Sequence, residues 1–299
     1  MEEIKKYPQI SVIIPVFNAE KYILDTIRSV MNQTICEIEI IVINDGSTDG
    51  SGKLINSLAE NDNRILTIHQ SNLGVSASRN EGRKVSRGKF LAFLDADDLW
   101  LPNNLELKLE KMNREGFGLV HSDGQIIDEF GNLKEEVLAG EEGNLLEGLL
   151  LWKKTQIPSP SSILIRREVI DKVGDFDEKL STSADQDFYF RVASQYQIGR
   201  VDRITWYYRI HDRNMHQNIL RMEKDVLRVY KKAENSNLFC NRKFKRRCYS
   251  NMYMILAASW AGDGNNFIRG LYFVWKALLC NPTVIFNILK RLIKKCFRD

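Results

Sequence analysis

No run of the sequence reaches the roughly 18 uninterrupted apolar residues that a membrane-spanning helix requires. Cysteine is sparse: Cys36, Cys240, Cys248, Cys280 and Cys296 form no CxxC pair and are odd in number. That speaks against a disulfide framework and against a zinc site, and it suits a reducing compartment. The first residues, MEEIKKYPQ, are charged where a secretory leader would be apolar, so export is not expected. Internal repeats and low-complexity tracts are missing as well. These absences point to a cytoplasmic protein, or one held at the cytosolic face of a membrane.

What remains is an ordinary globular composition, 43% hydrophobic and 27% charged over 299 residues. That length buries a large core, as one domain of unusual size or one domain with an appendage. The net charge of +4 is unevenly spread. From Cys240 to Asp299 twelve Lys/Arg face two Asp, which leaves +10 there and −6 in the remainder. An excess confined to one end points to an anionic surface as partner.

The hydrophobic pattern alternates strands with helices. Residues 10–16 (ISVIIPV) predict a strand ended by Pro15, residues 38–43 (IEIIVI) a second, 65–69 a weaker third and 89–94 (KFLAFL) a fourth. Ile23, Ile27, Val30 and Met31 give 21–33 one buried helical face. Strands separated by helix-length segments mean βαβ units and a mostly parallel sheet, with ligands at the carboxyl ends of its strands. Asn18, Asn44-Asp45 and Asp95–Asp98 stand at those ends. Further on, a helix is expected at 104–115, a short strand at 118–122, an acidic Gly-containing loop around 128–144 and strands at 162–166 and 200–210. Between these two strands, 184–196 reads as a helix presenting Phe188, Val192 and Tyr196 to the core. From 219, Ile219, Met222, Val226, Val229 and Ala233 mark another helix. A boundary near 215 separates residues 1–215 from a helical, basic extension, 216–299. Within it, 267–280 and 283–297 combine aromatic and aliphatic residues with Arg and Lys, as interfacial helices do.

DGSTDGSGK (45–53) fails as a phosphate-binding P-loop, because Gly46 and Gly52 are one residue too far apart and Leu54 stands where Ser or Thr would hold magnesium. It fails as a calcium loop too, with Asn56 at the twelfth position and a strand instead of a helix before it. Ser47 and Asp49 suit helix capping, whereas Asp45 points into the ligand crevice. Asp95-Ala96-Asp97-Asp98 packs three carboxylates into four residues, which is costly without a cation. An extended Asp-Ala-Asp would put the outer two on one face, about 6–7 Å apart. One could bind a hard divalent ion and the other a ligated water or a sugar hydroxyl. The bland alternative is an acidic loop with Asp98 as a surface charge.

SVIIPVFNAEKY (11–22), VINDGSTDGS (42–51) and NLGVSASRNEGRKVSRGKFLAFLDADDLWLP (72–102) together resemble family 2 of the inverting glycosyltransferases, over roughly the first 210 residues. The resemblance implies the GT-A fold, a Rossmann-like α/β domain with a mostly parallel mixed sheet, followed here by the helical tail. It implies a nucleotide-diphosphate sugar donor bound along Pro15, Val16, Phe17 and Asn18, with Asp45 accepting a hydrogen bond from the base. Arg79, Asp95 and Ala96 would line the nucleotide sugar, and Asp97 would hold Mn²⁺ or Mg²⁺. ADQDFYFR (184–191) is similar to the family's catalytic segment, with Asp185 at the general base and Ala184 where Glu is frequent. Asp187, two residues on, is expected to be the more tolerant position. YRIHDRN (208–214) matches the family's Tyr-Arg-x-His segment, so His211 is a candidate for the metal or diphosphate. His69, His121 and His216 lack such context and read as structural or exposed.

The resemblance favours a UDP- or dTDP-sugar donor, an acceptor hydroxyl on a glycan or lipid-linked glycan, and a role in polysaccharide or cell-surface glycan assembly. No nucleic-acid partner is expected. Two other classes remain open on the sequence. A sugar-nucleotide nucleotidyltransferase would want a Gly-rich basic loop where this chain reads PVFNAEK, and a non-catalytic sugar-nucleotide or glycan-binding module would have no need of both the Asp cluster and Asp185.

Overall fold

The computed structural model describes residues 8–212 and 218–283. The chain forms two compact units, Met1–Leu146 with Thr155–Asn214, and Glu147–Lys154 with Met215–Asp299. The first is built on one mixed sheet. Ile10–Val16 (β1) and Ile38–Asp45 (β2) are buried at every residue, as expected of continuous β-branched runs covered on both faces. They pair in parallel, Val12 beside Ile40, and β2 pairs in parallel with Ile65–Gln70 (β3). On its other side β1 pairs in parallel with Phe90–Phe93 (β4). Ile23–Met31 (α1), Ser51–Asn61 (α2) and Val75–Val85 (α3) are the crossover helices.

Pro15 does not end β1, which continues to Val16. The ladder with β4 stops after Ile13 and Phe93, with a last bond from Leu94 N–H to the Ile13 carbonyl. Residues two apart face the same neighbour. Pro15 therefore faces the side where no partner strand remains, and its missing N–H costs no ladder bond.

The second half of the sheet turns antiparallel. Ile163–Arg166 (β8) pairs with β4 and with Leu119–Ile127 (β6), and Ile198–Arg209 (β9) runs parallel to β6. Leu99–Trp100 (β5) closes the order β3-β2-β1-β4-β8-β6-β9-β5. Inside the segment expected to be loop, Leu133–Leu138 (β7) pairs antiparallel with β6, which runs to Ile127 instead of stopping near 122. β7 (LKEEVL) is exposed almost throughout, so it carries none of the apolar alternation that reveals a half-buried strand. Its two glutamates and a lysine are the charges expected where a strand stands at an edge.

Asn104–Glu115 (α4), Leu146–Leu151 (α5), Arg167–Val173 (α6) and Ala184–Ala193 (α7) complete the helices up to β9. α7 buries Phe188 and Val192, but ends before Tyr196. Phe188 stacks on Phe176 at 4.5 Å, and Phe176 meets Phe93 of β4 edge-on at 5.2 Å. This aromatic stack fixes α7 against the carboxyl end of the sheet. In the second unit Ile219–Asn235 (α8), Arg242–Ala261 (α9) and Phe267–Cys280 (α10) are helical. The 283–297 helix expected from the sequence lies, beyond Thr283, outside the described residues.

His121 is a structural histidine, buried in β6 with Nε2 2.7 Å from the Glu141 carbonyl. Burial lowers its pKa from 6.5 to about 4. The unfolded chain binds a proton between these values that the folded chain refuses, so stability is full above about 6.5 and is lost as pH falls toward 4. Two and a half units correspond to about 3 kcal/mol. Urea unfolding of His121→Gln between pH 4 and 7 should show this slope flattened by about that amount; an unchanged slope would place the titration elsewhere.

Candidate active site

The carboxyl ends of β1, β2 and β4 open on one side of the sheet, and three loops meet there. The first two are laced together. Asn18 N–H donates to Ser47 Oγ (3.0 Å), Ala19 N–H to Ser51 Oγ (3.0 Å) and Glu20 N–H to Asp49 Oδ2 (3.1 Å). In return Thr48 N–H donates to Asn18 Oδ1 (2.8 Å) and Gly50 N–H to Glu20 Oε2 (2.9 Å). Asn18 adopts φ 51°, a left-handed conformation that Asn tolerates better than most residues. Ser47 and Asp49 thus cross-link the two loops. Pro15 and Val16 have their side chains buried in the sheet, which leaves Phe17, half exposed, as the apolar surface of this loop.

Asp45 ends β2 and is buried. Its Oδ1 accepts from Gln70 Nε2 (2.7 Å) and Leu73 N–H (2.9 Å), and Oδ2 from Gly74 N–H (2.8 Å). A carboxylate has about four acceptor positions. Among the described residues three are filled, and one remains on Oδ2. Gly74, at φ 93°, immediately precedes α3.

Arg79 projects from α3, buried, and donates from Nη2 to Asp95 Oδ1 at 2.6 Å. Its guanidinium lies over Phe176 at 5.3 Å. Asp95 N–H is held by Ser161 Oγ at 3.1 Å. The Asp-Ala-Asp segment is not extended. Asp98 N–H reaches back to the Asp95 carbonyl (3.1 Å) and closes a turn, because the chain must reverse between β4 and β5. Asp95 and Asp97 are therefore carried on a turn, not on one strand face.

Asp98 is no surface charge. It is fully buried, its Oδ1 accepts from Arg209 N–H (3.1 Å), and its Oδ2 has no partner among the described residues. Burial first, then the nearby Asp97 and Asp95 charges, push its carboxyl well above the ordinary value of 3.8. Thr26 Oγ1 lies 2.9 Å from both the Ala96 and Asp98 carbonyls and braces the turn from α1.

Asp97 Oδ2 and His211 Nε2 are 2.9 Å apart, although 114 residues separate them in sequence. β9 makes the meeting: its last residue, Arg209, donates from Nε to the Asp97 carbonyl at 2.9 Å. Tyr22 stacks on His211 at 5.0 Å and supports Arg209 at 4.9 Å. Among the described residues no third His, Cys, Asp or Glu joins Asp97 and His211 in a closed metal cage.

Asp185 stands in the first turn of α7. Its Oδ1 accepts from the next backbone N–H, that of Gln186, at 2.9 Å. Burial raises its pKa, opposed by the positive charge of Arg79 and reinforced by Asp95. One turn on, Tyr189 is buried with a hydroxyl that has no partner among the described residues. Burial and the Asp185 charge push that phenol well up.

The structure thus brings Arg79 to Asp95 and His211 to Asp97, with Asp185 within electrostatic range of the first pair. Arg209, Thr26, Ser161, Tyr22 and Tyr189 were not expected. Arg209, Tyr22 and Tyr189 stand inside segments already singled out, 208–214, 11–22 and 184–191, so their positions were the available signal. Thr26 and Ser161 act from elements whose proximity only the fold creates.

A family profile described as Glycosyl transferase family 2 matches residues 11–174. An uncharacterized glycosyltransferase of Methanocaldococcus jannaschii is 31% identical over 79% of this chain and 83% of its own length. An uncharacterized glycosyltransferase of Rickettsia bellii is 34% identical over 68% of this chain, which spans only 29% of that relative. TarS of S. aureus, residues 1–349 in complex with UDP-GlcNAc, superposes with a TM-score of 0.66 at 18% identity, over 86% of this chain and 74% of that one. The mannosyltransferase PcManGT from Pyrobaculum calidifontis, in complex with GDP-Man and Mn²⁺, gives 0.58 at 16% identity, over 93% and 88%.

Asp187 has a part in the fold. It is buried and accepts from Arg191 Nε at 3.0 Å. Arg191 in turn donates to the carbonyls of Val173, Gly174 and Asp175, tying α7 to the end of α6. Asp187→Asn should therefore lower unfolding stability by about 1–3 kcal/mol and leave nucleotide affinity unchanged. Paired urea titrations and nucleotide binding check this, and a loss of affinity without a loss of stability would contradict it.

Proposed function

The chain belongs to glycosyl transferase family 2 and is a glycosyltransferase with the GT-A fold, and we propose that it moves a sugar with inversion from a UDP- or dTDP-linked donor to an acceptor hydroxyl. Membership of the family replaces the nucleotidyltransferase and non-catalytic readings. The observation that carries the proposal is the 2.9 Å approach of Asp97 and His211.

A carboxylate and an imidazole suit Mn²⁺, and Mg²⁺ is commonly held by one or two carboxylates together with substrate phosphates. Two protein donors therefore fit a Mn²⁺ or Mg²⁺ shared with the donor diphosphate better than a dedicated cage. When bound there, such an ion neutralises charge on the departing diphosphate.

In this reading the nucleoside lies along Pro15–Asn18, the end of β1 and the start of the loop after it, on Phe17. The last acceptor position of Asp45 supports a pyrimidine base: uracil and thymine present one imide N–H, whereas guanine presents two donors on the same edge. Arg79 holds Asp95 in place, and Asp95 and Ala96 line the ribose or the donor sugar. Asp185 takes the proton of the acceptor hydroxyl as its oxygen bonds to the anomeric carbon and the bond to the diphosphate breaks. The raised pKa of Asp185 supports this role, because a stronger base accepts a proton more readily. We place the reaction in assembly of a polysaccharide or cell-surface glycan at the cytosolic side of a membrane, with a glycan or lipid-linked glycan as acceptor. The +10 charge of residues 240–299 supports that location.

Two measurements test this reading. UDP with Mn²⁺ should raise the thermal midpoint more than GDP with Mn²⁺. Asp97→Asn should abolish the manganese-dependent part while the fold persists, and unchanged metal dependence would remove Asp97 from the site. Asp185→Asn should keep donor affinity and lose about 10²–10⁴-fold in turnover. Asn caps a helix about as well as Asp, so near-normal turnover would leave Asp185 as a cap alone.

A further inference from the structure

α10 presents two faces of opposite use. At about 100° per residue, Phe267, Ile268, Leu271, Tyr272, Trp275 and Leu279 share an arc of about 140°. All are exposed, among them Ile268 at 82%, Phe267 at 68%, Leu279 at 58% and Trp275 at 56%. The opposite face holds the helix in its unit. Gly270 lies close against the Ala257 carbonyl, Phe273 stacks on Tyr253 at 5.9 Å, and Ser250 Oγ donates to the Ala277 carbonyl at 2.9 Å. The exposed stripe takes no part in that packing.

Charge lines one flank of the stripe and the end of the helix. Lys276 lies over the Tyr272 ring at 4.8 Å, and Arg269 pairs with Glu223 at 2.7 Å. Arg246 donates to the Cys280 carbonyl at 2.7 Å, at the end of the helix. The sequence after Thr283 adds Lys290, Arg291, Lys294, Lys295 and Arg298 against Asp299 alone.

Charge also selects the occupant. A second copy would set one +10 segment against another, and residues 284–299 would bring further positive charge to a positive unit. An anionic bilayer offers apolar depth and opposite charge together. At 14 residues the helix is about 21 Å long, short of the roughly 30 Å hydrocarbon core. Among the described residues no helix is long and apolar enough to cross a membrane. The fitting geometry is a helix lying in the interface, with Tyr272 and Trp275 at headgroup depth.

We infer that α10 docks the protein on an anionic phospholipid surface through the Phe267–Leu279 stripe. This deepens the membrane-side part of the proposed function and does not depend on the roles given to the carboxylates. The test is flotation of the full chain with phosphatidylcholine vesicles, with and without phosphatidylglycerol. Co-flotation is expected only with phosphatidylglycerol and at low salt. The double variant Ile268→Glu/Trp275→Glu should lose at least about tenfold in vesicle partitioning, with its thermal midpoint and its UDP–Mn²⁺ stabilisation intact. Because both positions are exposed, misfolding is not the expected outcome, and circular dichroism checks it. Trp275 emission should shift to the blue on phosphatidylglycerol vesicles, and Trp275→Phe should still float without that shift. Absence of flotation by the unaltered chain, or equal flotation of the double variant, overturns the inference. So does a vesicle-free dimer that the double variant abolishes. Flotation without UDP–Mn²⁺ stabilisation would uphold the lipid surface and sink the donor reading.

Discussion

Repulsion among Asp95, Asp97 and Asp98 is the constraint that the rest of the site accommodates. Three carboxylates in four residues repel one another, and packing them into one turn needs compensation. Each is handled by a different element. Asp95 is matched by the guanidinium of Arg79 from α3, and Asp97 meets His211 from beyond β9. Asp98 is buried, where the neutral form is favoured. The partners come from two distant stretches of chain, α3 and the end of β9, so the turn acquires its shape only once the sheet has closed through β9.

That dependence explains what the sequence reveals. β1, β2 and β4 are legible because strands buried on both faces must be apolar throughout, and the polar residues following them stand out. Asp45, Asp97, Asp185 and His211 could be singled out from residue order and family resemblance. The turn at 95–98 could not, because the bond from Asp98 N–H to the Asp95 carbonyl reflects the reversal between β4 and β5 and no local signal. Nor could the braces. Thr26 and Ser161 are common residue types, and only the folded chain brings them to the turn. β7 was illegible for the converse reason: its identity lies in backbone pairing with β6, while its side chains face water.

The lacing between residues 18–20 and 47–51 gives the site a fixed wall. Five mutual bonds leave neither loop free to move alone. Asp45 extends the same wall by capturing the amides of Leu73 and Gly74. A preformed wall spares a ligand the entropy of ordering it, so binding energy remains for orientation.

The short helix α5 belongs, from Glu147 on, to the same unit as α8 and α9. Its Leu150 carbonyl accepts from Tyr230 Oη at 2.7 Å and its Leu151 carbonyl from Asn251 Nδ2 at 2.9 Å. These partners lie 80 and 100 residues further along the chain. During synthesis at about 5–20 residues per second, the helix leaves the ribosome on the order of 4–20 s before they do. The second unit therefore cannot assemble in the order in which it is made. The Leu150 and Leu151 carbonyls spend that interval without these two donors, and a nascent chain halted near residue 214 would keep them so.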